Sequence, residues 1–317
     1  MIVRESCSIC GSSRKKLLAK MTKEYLMTGD NGWRHDPVLM KYAGFDYEKD
    51  PDQGCSYYEC LKCGTFYLKE LYPIEEAFGL CHAMDKSKRE KYYTRSSTPS
   101  VIYGNMQRAS INRSLISLAL KQKPESVLKV LDYGCGGGKD LSIFKSFGID
   151  NLFGYNHVDF PFDLIKKYYQ KGITLINEIE ELNSNGPFDV IKCNSVLEHV
   201  YNPGEVIEHI YSLLSPNGYC YFYAPSVSRN TFKKYIELVK ENTENTKVKN
   251  LHQGHVQIWN TDALPLSRFV QSKGFKIIPV NVEFNFDDIS QTKGLMKYLG
   301  KICLHGIFIF RAVFLEK

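Results

Sequence analysis

The rhythm of apolar and polar positions changes twice along the chain. From residue 126 onward, short apolar runs alternate with helical stretches. Residues 127–131, 151–155, 174–176, 188–193 and 219–223 read as five strands, with helices at 139–147, 162–171 and 204–214. Strands spaced by helices in this way predict an α/β fold with a parallel, doubly wound sheet. Residues 275–282 and 307–315 read as two closing strands, and the polar stretch 231–249 as a helical insertion or lid. Upstream, 83–123 looks helical: Ile111, Leu115, Ile116, Leu118 and Leu120 form an amphipathic pattern that stops before Pro124. Residues 1–82 have little periodicity. The expected organisation is a small module over 1–82, a helical linker or substrate lid over 83–124, and the α/β domain over 125–317.

The first 82 residues hold six of the ten cysteines. Four of them form two matched knuckles, Cys7-Ser8-Ile9-Cys10-Gly11 and Cys60-Leu61-Lys62-Cys63-Gly64. Two thiolates on a tight turn reach one tetrahedral Zn²⁺ at ~2.3 Å, and the following Gly relaxes the backbone. A matched pair is far more specific than a lone Cys-x-x-Cys. The expected metal ligands are therefore Cys7, Cys10, Cys60 and Cys63, with Cys55, Cys81, His35 and His82 as alternatives. Four thiolates leave no open position, so a structural zinc is expected.

Residues 131–138, Leu-Asp-Tyr-Gly-Cys-Gly-Gly-Gly, lie after an apolar strand and before a helix. The dinucleotide fingerprint would need Gly where Lys139 stands, and no Gly-Lys-Ser/Thr ends the loop, so NAD and a phosphate-binding P-loop are both disfavoured. The pattern that fits is acidic-x-Gly-x-Gly-x-Gly. Residues 188–200 (Phe-Asp-Val-Ile-Lys-Cys-Asn-Ser-Val-Leu-Glu-His-Val) and 213–218 (Leu-Leu-Ser-Pro-Asn-Gly) follow it in order. On these three motifs the sequence resembles the class I S-adenosylmethionine (SAM) methyltransferases over roughly residues 126–317. The resemblance implies a Rossmann-like sheet. It implies cofactor contacts at Asp132, Gly134, Cys135, Gly136 and Gly138, and at Asn194, Ser195 and His199. The ribose partner would be Asn156 or Asp159. Related quinone O-methyltransferases can bind metal through a Glu at the place of Ser195, so no metal is expected at Glu198-His199.

The cysteine module joined to this domain resembles the sugar C-methyltransferases that act on nucleotide-linked deoxysugars. That resemblance implies a His-bearing segment after the fifth strand, here residues 251–259 (Leu-His-Gln-Gly-His-Val-Gln-Ile-Trp), with His255 and His252 as candidate bases; Tyr92 or Tyr93 are the next candidates should neither histidine serve. The expected activity is methyl transfer from SAM to a small anionic metabolite, foremost a nucleotide-linked sugar or surface-glycan precursor. A quinone-type or other small-molecule O-methyltransferase is the alternative, and a zinc-docked nucleic-acid or protein methyltransferase the third class.

Composition sharpens this in two ways. Lys plus Arg number 41 and Asp plus Glu 35, a net +6 that suits an anionic substrate. The cations are scattered and form no stripe interleaved with aromatics, which disfavours nucleic acid. The longest apolar stretch, 302–314, is broken by His305 and Arg311 and falls short of the ~20 residues a membrane span requires. A cytoplasmic protein with reduced thiols is expected.

Overall fold

A computed structural model describes residues 2–21, 55–71, 99–157, 172–241, 255–280 and 307–312. The strands are β1 (Ile2–Val3), β2 (Lys15–Met21), β3 (Cys55–Cys60), β4 (Phe66–Leu68), β5 (Glu70–Leu71), β6 (Val130–Tyr133) and β7 (Leu152–Tyr155). They continue as β8 (Ile173–Ile176), β9 (Phe188–Asn194), β10 (Leu214–Tyr223), β11 (Ser226–Val227), β12 (Gln257–Asn260), β13 (Phe275–Val280) and β14 (Ile307–Ala312). The helices are α1 (Pro99–Ala119), α2 (Lys139–Ser146), α3 (Ile179–Asn185), α4 (Pro203–Leu213), α5 (Arg229–Glu241) and α6 (Leu266–Gln271). The expected helix at 162–171 and the tail of the expected lid lie outside the described residues.

Two compact units emerge, each assembled from separate stretches of chain. The larger comprises Asp85–Asn194, His209–Phe222 and Gly274–Lys317. Its sheet has seven strands in the order β13-β14-β10-β9-β6-β7-β8. β6 pairs in parallel with both β7 and β9, and β7 with β8. The chain thus winds outward in both directions from β6. β14 runs antiparallel between β10 and β13, closing the sheet with the two expected strands. The apolar residues of α1 read from the sequence, Ile111, Leu115 and Ile116, are buried with Leu128, Val130, Leu141, Phe144 and Val190. This is the Rossmann-like α/β fold that the alternating pattern predicts.

The other unit comprises Met1–Met84, Ser195–Glu208 and Tyr223–Lys273. Its five-stranded sheet has the order β11-β12-β4-β3-β2. The linear division at residue 82 places 226–260 with the α/β sheet, yet β12 hydrogen-bonds antiparallel to β4, pairing Gln257 with Tyr67 and Ile258 with Phe66. The amphipathic α5 covers this sheet: Phe232 is buried and stacks on Phe66 with ring centroids 3.9 Å apart. Among the described residues no helix is long and apolar enough to cross a membrane.

Candidate functional site

The glycine loop leaves β6 at the point where the sheet winds both ways, the place where open α/β sheets bind ligands. Gly134, Gly136 and Gly138 have φ of 79°, 48° and 73°, the left-handed region that glycine enters without cost. The backbone N–H groups of Gly134 and Cys135 donate to Tyr155 O at 2.8 and 3.0 Å, holding the loop against the end of β7. Asn156 closes it from the same side. Its Oδ1 accepts from Gly136 N at 3.0 Å, and its Nδ2 donates to Cys135 Sγ at 3.3 Å. The Cys135 thiol is buried behind the loop, where a Cβ on Gly154 would approach it to 2.9 Å. Beside Gly136, by contrast, an added Cβ would meet nothing within 4 Å. The loop is packed tightly behind and open in front, which fits a cofactor's amino acid end.

Asp132 ends the same strand, and its carboxyl is buried. Burial first, then Asp140, pushes it up to about 8, against the opposing pull of Lys192 and Arg108. Lys192 stands in register with Asp132 on β9 and is 0% exposed. Its ammonium donates to Asn112 Oδ1 at 2.6 Å and to Asp140 Oδ1. Arg108 of α1 takes the other oxygen of Asp140 at 2.5 Å. Two cations and two carboxyls, on α1, β6, α2 and β9, thereby form one network under the loop. Sequence reading passed over it, although a lysine inside the apolar run 188–193 is a signal that a buried partner must exist.

In the other unit the two knuckles come together. Cys7 Sγ lies 3.7 Å from Cys63 Sγ, and Cys10 Sγ 3.5 Å from Cys60 Sγ. All four sulfurs lie within 4.8 Å of one another. A tetrahedral ZnS₄ centre with ~2.3 Å bonds has edges of about 3.8 Å, so the donor set and its spacing fit zinc. The hydrogen bond from Cys7 lowers Cys63 to about 5, and the same pairing, with burial, raises Cys7. His35, His82 and Cys81 lie outside the described residues.

The segment after β9 opens on a strained residue. Ser195 has φ 59°, unusual for a side chain of its kind. Its N–H donates to Tyr223 O at 2.9 Å. Glu198 follows, with its side chain 2% exposed and Oε2 without a hydrogen-bond partner among the described residues. Burial raises it to about 8, against its bonds to its own backbone and to Ser195. Its Oε1 is 3.9 Å from His199 Nε2. His255 stands with its ring centroid 5.0 Å from that of His199, the planes at 63°. One oxygen of Glu198 and one nitrogen from each histidine lie within 4.8 Å of one another. The sequence offered Glu198-His199 and His255 as separate features, and the hydrogen bond from Val256 N to Glu198 O at 2.8 Å joins their segments. His252 and Asp159 lie outside the described residues; Asn194 is the last residue of β9.

A doubly wound sheet with a glycine loop at its winding point, packed behind and open in front, defines a Rossmann-like domain built for a nucleoside cofactor. A family model described as a methyltransferase domain matches residues 105–280, more than half of the chain, and the chain belongs to that family. It is similar to the ubiquinone biosynthesis O-methyltransferase of Shewanella pealeana, at 32% identity over 117 residues, 35% of this chain and 48% of the relative. The mitochondrial ubiquinone biosynthesis O-methyltransferase of Saccharomyces cerevisiae is 35% identical over 127 residues, 37% of this chain and 38% of the relative. The chain spans about half the length of the first of these relatives, or less. Among solved structures, the magnesium protoporphyrin IX methyltransferase of Synechocystis PCC 6803 with bound SAM aligns with a TM-score of 0.43 at 13% identity, over 75% of this chain and 97% of that one.

Proposed function

We propose that the protein is a SAM-dependent O-methyltransferase whose acceptor is a hydroxyl on a small aromatic, quinone-type molecule. The observation that carries this is the grouping of Glu198, His199 and His255. Burial raises the Glu198 carboxyl to about 8, and each imidazole beside it carries a ring nitrogen of the kind that accepts a proton in catalysis. An imidazole ordinarily titrates near ~6.5 and a phenol near ~10, a gap of about 5 kcal/mol at 1.36 kcal/mol per unit. An aliphatic hydroxyl lies toward the ~15.7 of water, a gap of about 12 kcal/mol. A histidine base therefore suits a phenol far better than a sugar hydroxyl. The quinone-pathway names of the relatives support the same class, whereas the expected sugar acceptor finds no support among them.

Bound SAM supplies a methyl group on a sulfonium that leaves as the neutral thioether. Residues of the loop 132–138 would hold the donor, and His255 or His199 would be the group that accepts the proton of the acceptor hydroxyl. Orientation of the two reactants is worth ~7–11 kcal/mol in such reactions. The test is the full chain with methyl-labelled SAM against catechols and hydroxybenzoates, nucleotide-linked sugars, RNA and protein. Label on the phenols is expected. Label on a sugar would restore the sugar reading, and activity lost on chelation and restored by Mg²⁺ would replace the histidine base with a metal.

Asp132 is the proposed partner of the SAM ammonium. Its carboxyl, raised to about 8, is protonated at pH 7 and must ionise to meet a cation. SAM binding at pH 7 should then release roughly one proton, and affinity should rise with pH up to about 8 and level off above it. Titration calorimetry in buffers of different ionisation heat reads the proton directly; no buffer dependence would exclude this role. Asn156 remains the proposed ribose partner and would exchange its loop bonds to serve.

Zinc is proposed at Cys7, Cys10, Cys60 and Cys63, one ion per chain by elemental analysis of protein purified without added metal. Apparent zinc binding in small zinc peptides is worth ~10–16 kcal/mol, much of it folding energy. Cys60→Ser should therefore destabilise the unit of β1–β5 by several kcal/mol while leaving SAM affinity near native, because the loop belongs to the other unit. Sub-stoichiometric zinc with four freely titratable thiols would sink the assignment.

A further inference from the structure

Both cysteine knuckles touch β12, the strand that begins two residues after His255. At one end stands Gln257, 0% exposed. Its Nε2 donates to Leu197 O, and to Val200 O at 2.7 Å. These carbonyls bracket Glu198 and His199 in the chain. Its Oε1 lies 3.4 Å from Ser8 Oγ, which sits between Cys7 and Cys10, and 3.5 Å from Arg4 Nη1. Both amide hydrogens and both acceptor positions are thereby engaged, the condition for burying a carboxamide without penalty. Val256 N donates to Glu198 O at 2.8 Å, binding the two segments a second time. At the other end of β12, Asn260 Nδ2 donates to Gly64 O of the second knuckle at 3.1 Å. That approach is close: a Cβ on Gly64 would come within 2.5 Å of Ala263 Cβ.

We infer that Gln257 is a positioning residue: it transmits the geometry of the cysteine knuckles to Glu198, His199 and His255, so that the metal at the knuckles sets the spacing of the two histidines. A module of four thiolates has no chemistry to offer the reaction. Its place in the same sheet as β12, which begins two residues after His255, gives it a mechanical one. The inference rests on the proton-accepting role proposed above for the cluster, and on the fit of zinc to the four sulfurs. A hydrogen-bonded carboxamide suits the task because its two ends are rigidly coupled. Displacing Ser8 moves Oε1, and with it the donors that hold the carbonyls on either side of Glu198-His199.

The experiment uses the full chain in three forms, native, Gln257→Leu and Ser8→Ala, each loaded with zinc or with cadmium, a larger thiolate-binding ion. Imidazole ¹H–¹⁵N spectra report His199 and His255 without reference to activity. In the native chain, exchange of zinc for cadmium should shift both histidines; in Gln257→Leu they should no longer respond. Zinc content and SAM affinity should stay native, while kcat for a phenolic acceptor falls by up to about 10²-fold, the loss that follows small misplacement of a reacting group, with KM little changed. Ser8→Ala removes only the knuckle end of the contact, and should damp the metal response in a chain that folds even if Gln257→Leu does not. Native histidines indifferent to the metal, or a Gln257→Leu chain with native kcat and native histidine signals, would overturn the inference. If no phenol is methylated by the native chain, the proposed function has failed, and the spectra still decide the coupling.

Discussion

Lys192→Met is expected to destabilise the α/β unit by about 3–5 kcal/mol, the loss typical when one partner of a buried ion pair is removed. The side chain of Lys192 is 0% exposed and that of Asp140 is 5% exposed, so neither charge has water to fall back on. Burial lowers the pKa of Lys192 while Asp140, through its charge and its hydrogen bond, pulls it back up. Methionine matches the length of the stem and removes only the cation. What remains is a carboxylate answered by Arg108 alone, Asn112 stripped of its donor, and Asp132 deprived of one of its two opposing cations. The loss should therefore exceed that of a surface pair such as Lys273–Glu208, which is worth at most ~1 kcal/mol. Urea unfolding of the full chain at pH 7 checks it. Adding Asp140→Leu to Lys192→Met should recover a large part of the loss, because well-packed apolar residues often replace a buried pair at no cost. A single-variant loss below about 1 kcal/mol would show that the network contributes nothing to folding.

The residues that escaped the sequence reading share a physical cause. Strands β6 to β10 were legible because each is an apolar run flanked by turns and helices, a signal contained in the segment itself. The knuckles and the glycine loop were legible because a matched Cys-x-x-Cys-Gly pair and a glycine-rich turn are patterns of residue type at fixed spacing. β12 had neither advantage. It is four residues long, and its pairing with β4 joins positions about 190 residues apart, which no local pattern encodes. Its residues read as the tail of a histidine segment, and so the sheet that unites the N-terminal strands with 226–260 went unseen. Asn156 illustrates the complementary limit. Its position at the end of the second strand was legible, yet its amide serves the backbone of the loop, a use of Asn that sequence position alone does not distinguish from ligand binding. Lys192 was hidden for a third reason: a buried charge is tolerated only with partners, and those partners come from α1 and α2, far away in sequence.

His255→Ala should lower turnover with a phenolic acceptor by ~10²–10⁴-fold, the usual contribution of a positioned general base, with SAM affinity unchanged. The backbone carbonyl of His255 accepts from Tyr57 Oη at 3.2 Å, so the chain at this position is held independently of the imidazole. The alanine variant should fold. His199→Ala is the necessary companion, since the two rings lie 5.0 Å apart and either could take the proton. A loss confined to His199→Ala would move the base there, and a few-fold loss in both would send the search to Tyr92 and Tyr93. Glu198 separates a base from a metal. Held near 8 by burial, its carboxyl is protonated at pH 7, and glutamine reproduces a protonated carboxyl in shape and polarity. Glu198→Gln should thus retain activity within a few-fold at pH 7. It should differ from the native chain only above pH 8, where the native carboxyl ionises and the variant cannot. A metal ligand would behave in the opposite way, because a carboxamide binds a divalent cation poorly at any pH, and the variant would then fall as far as His255→Ala does.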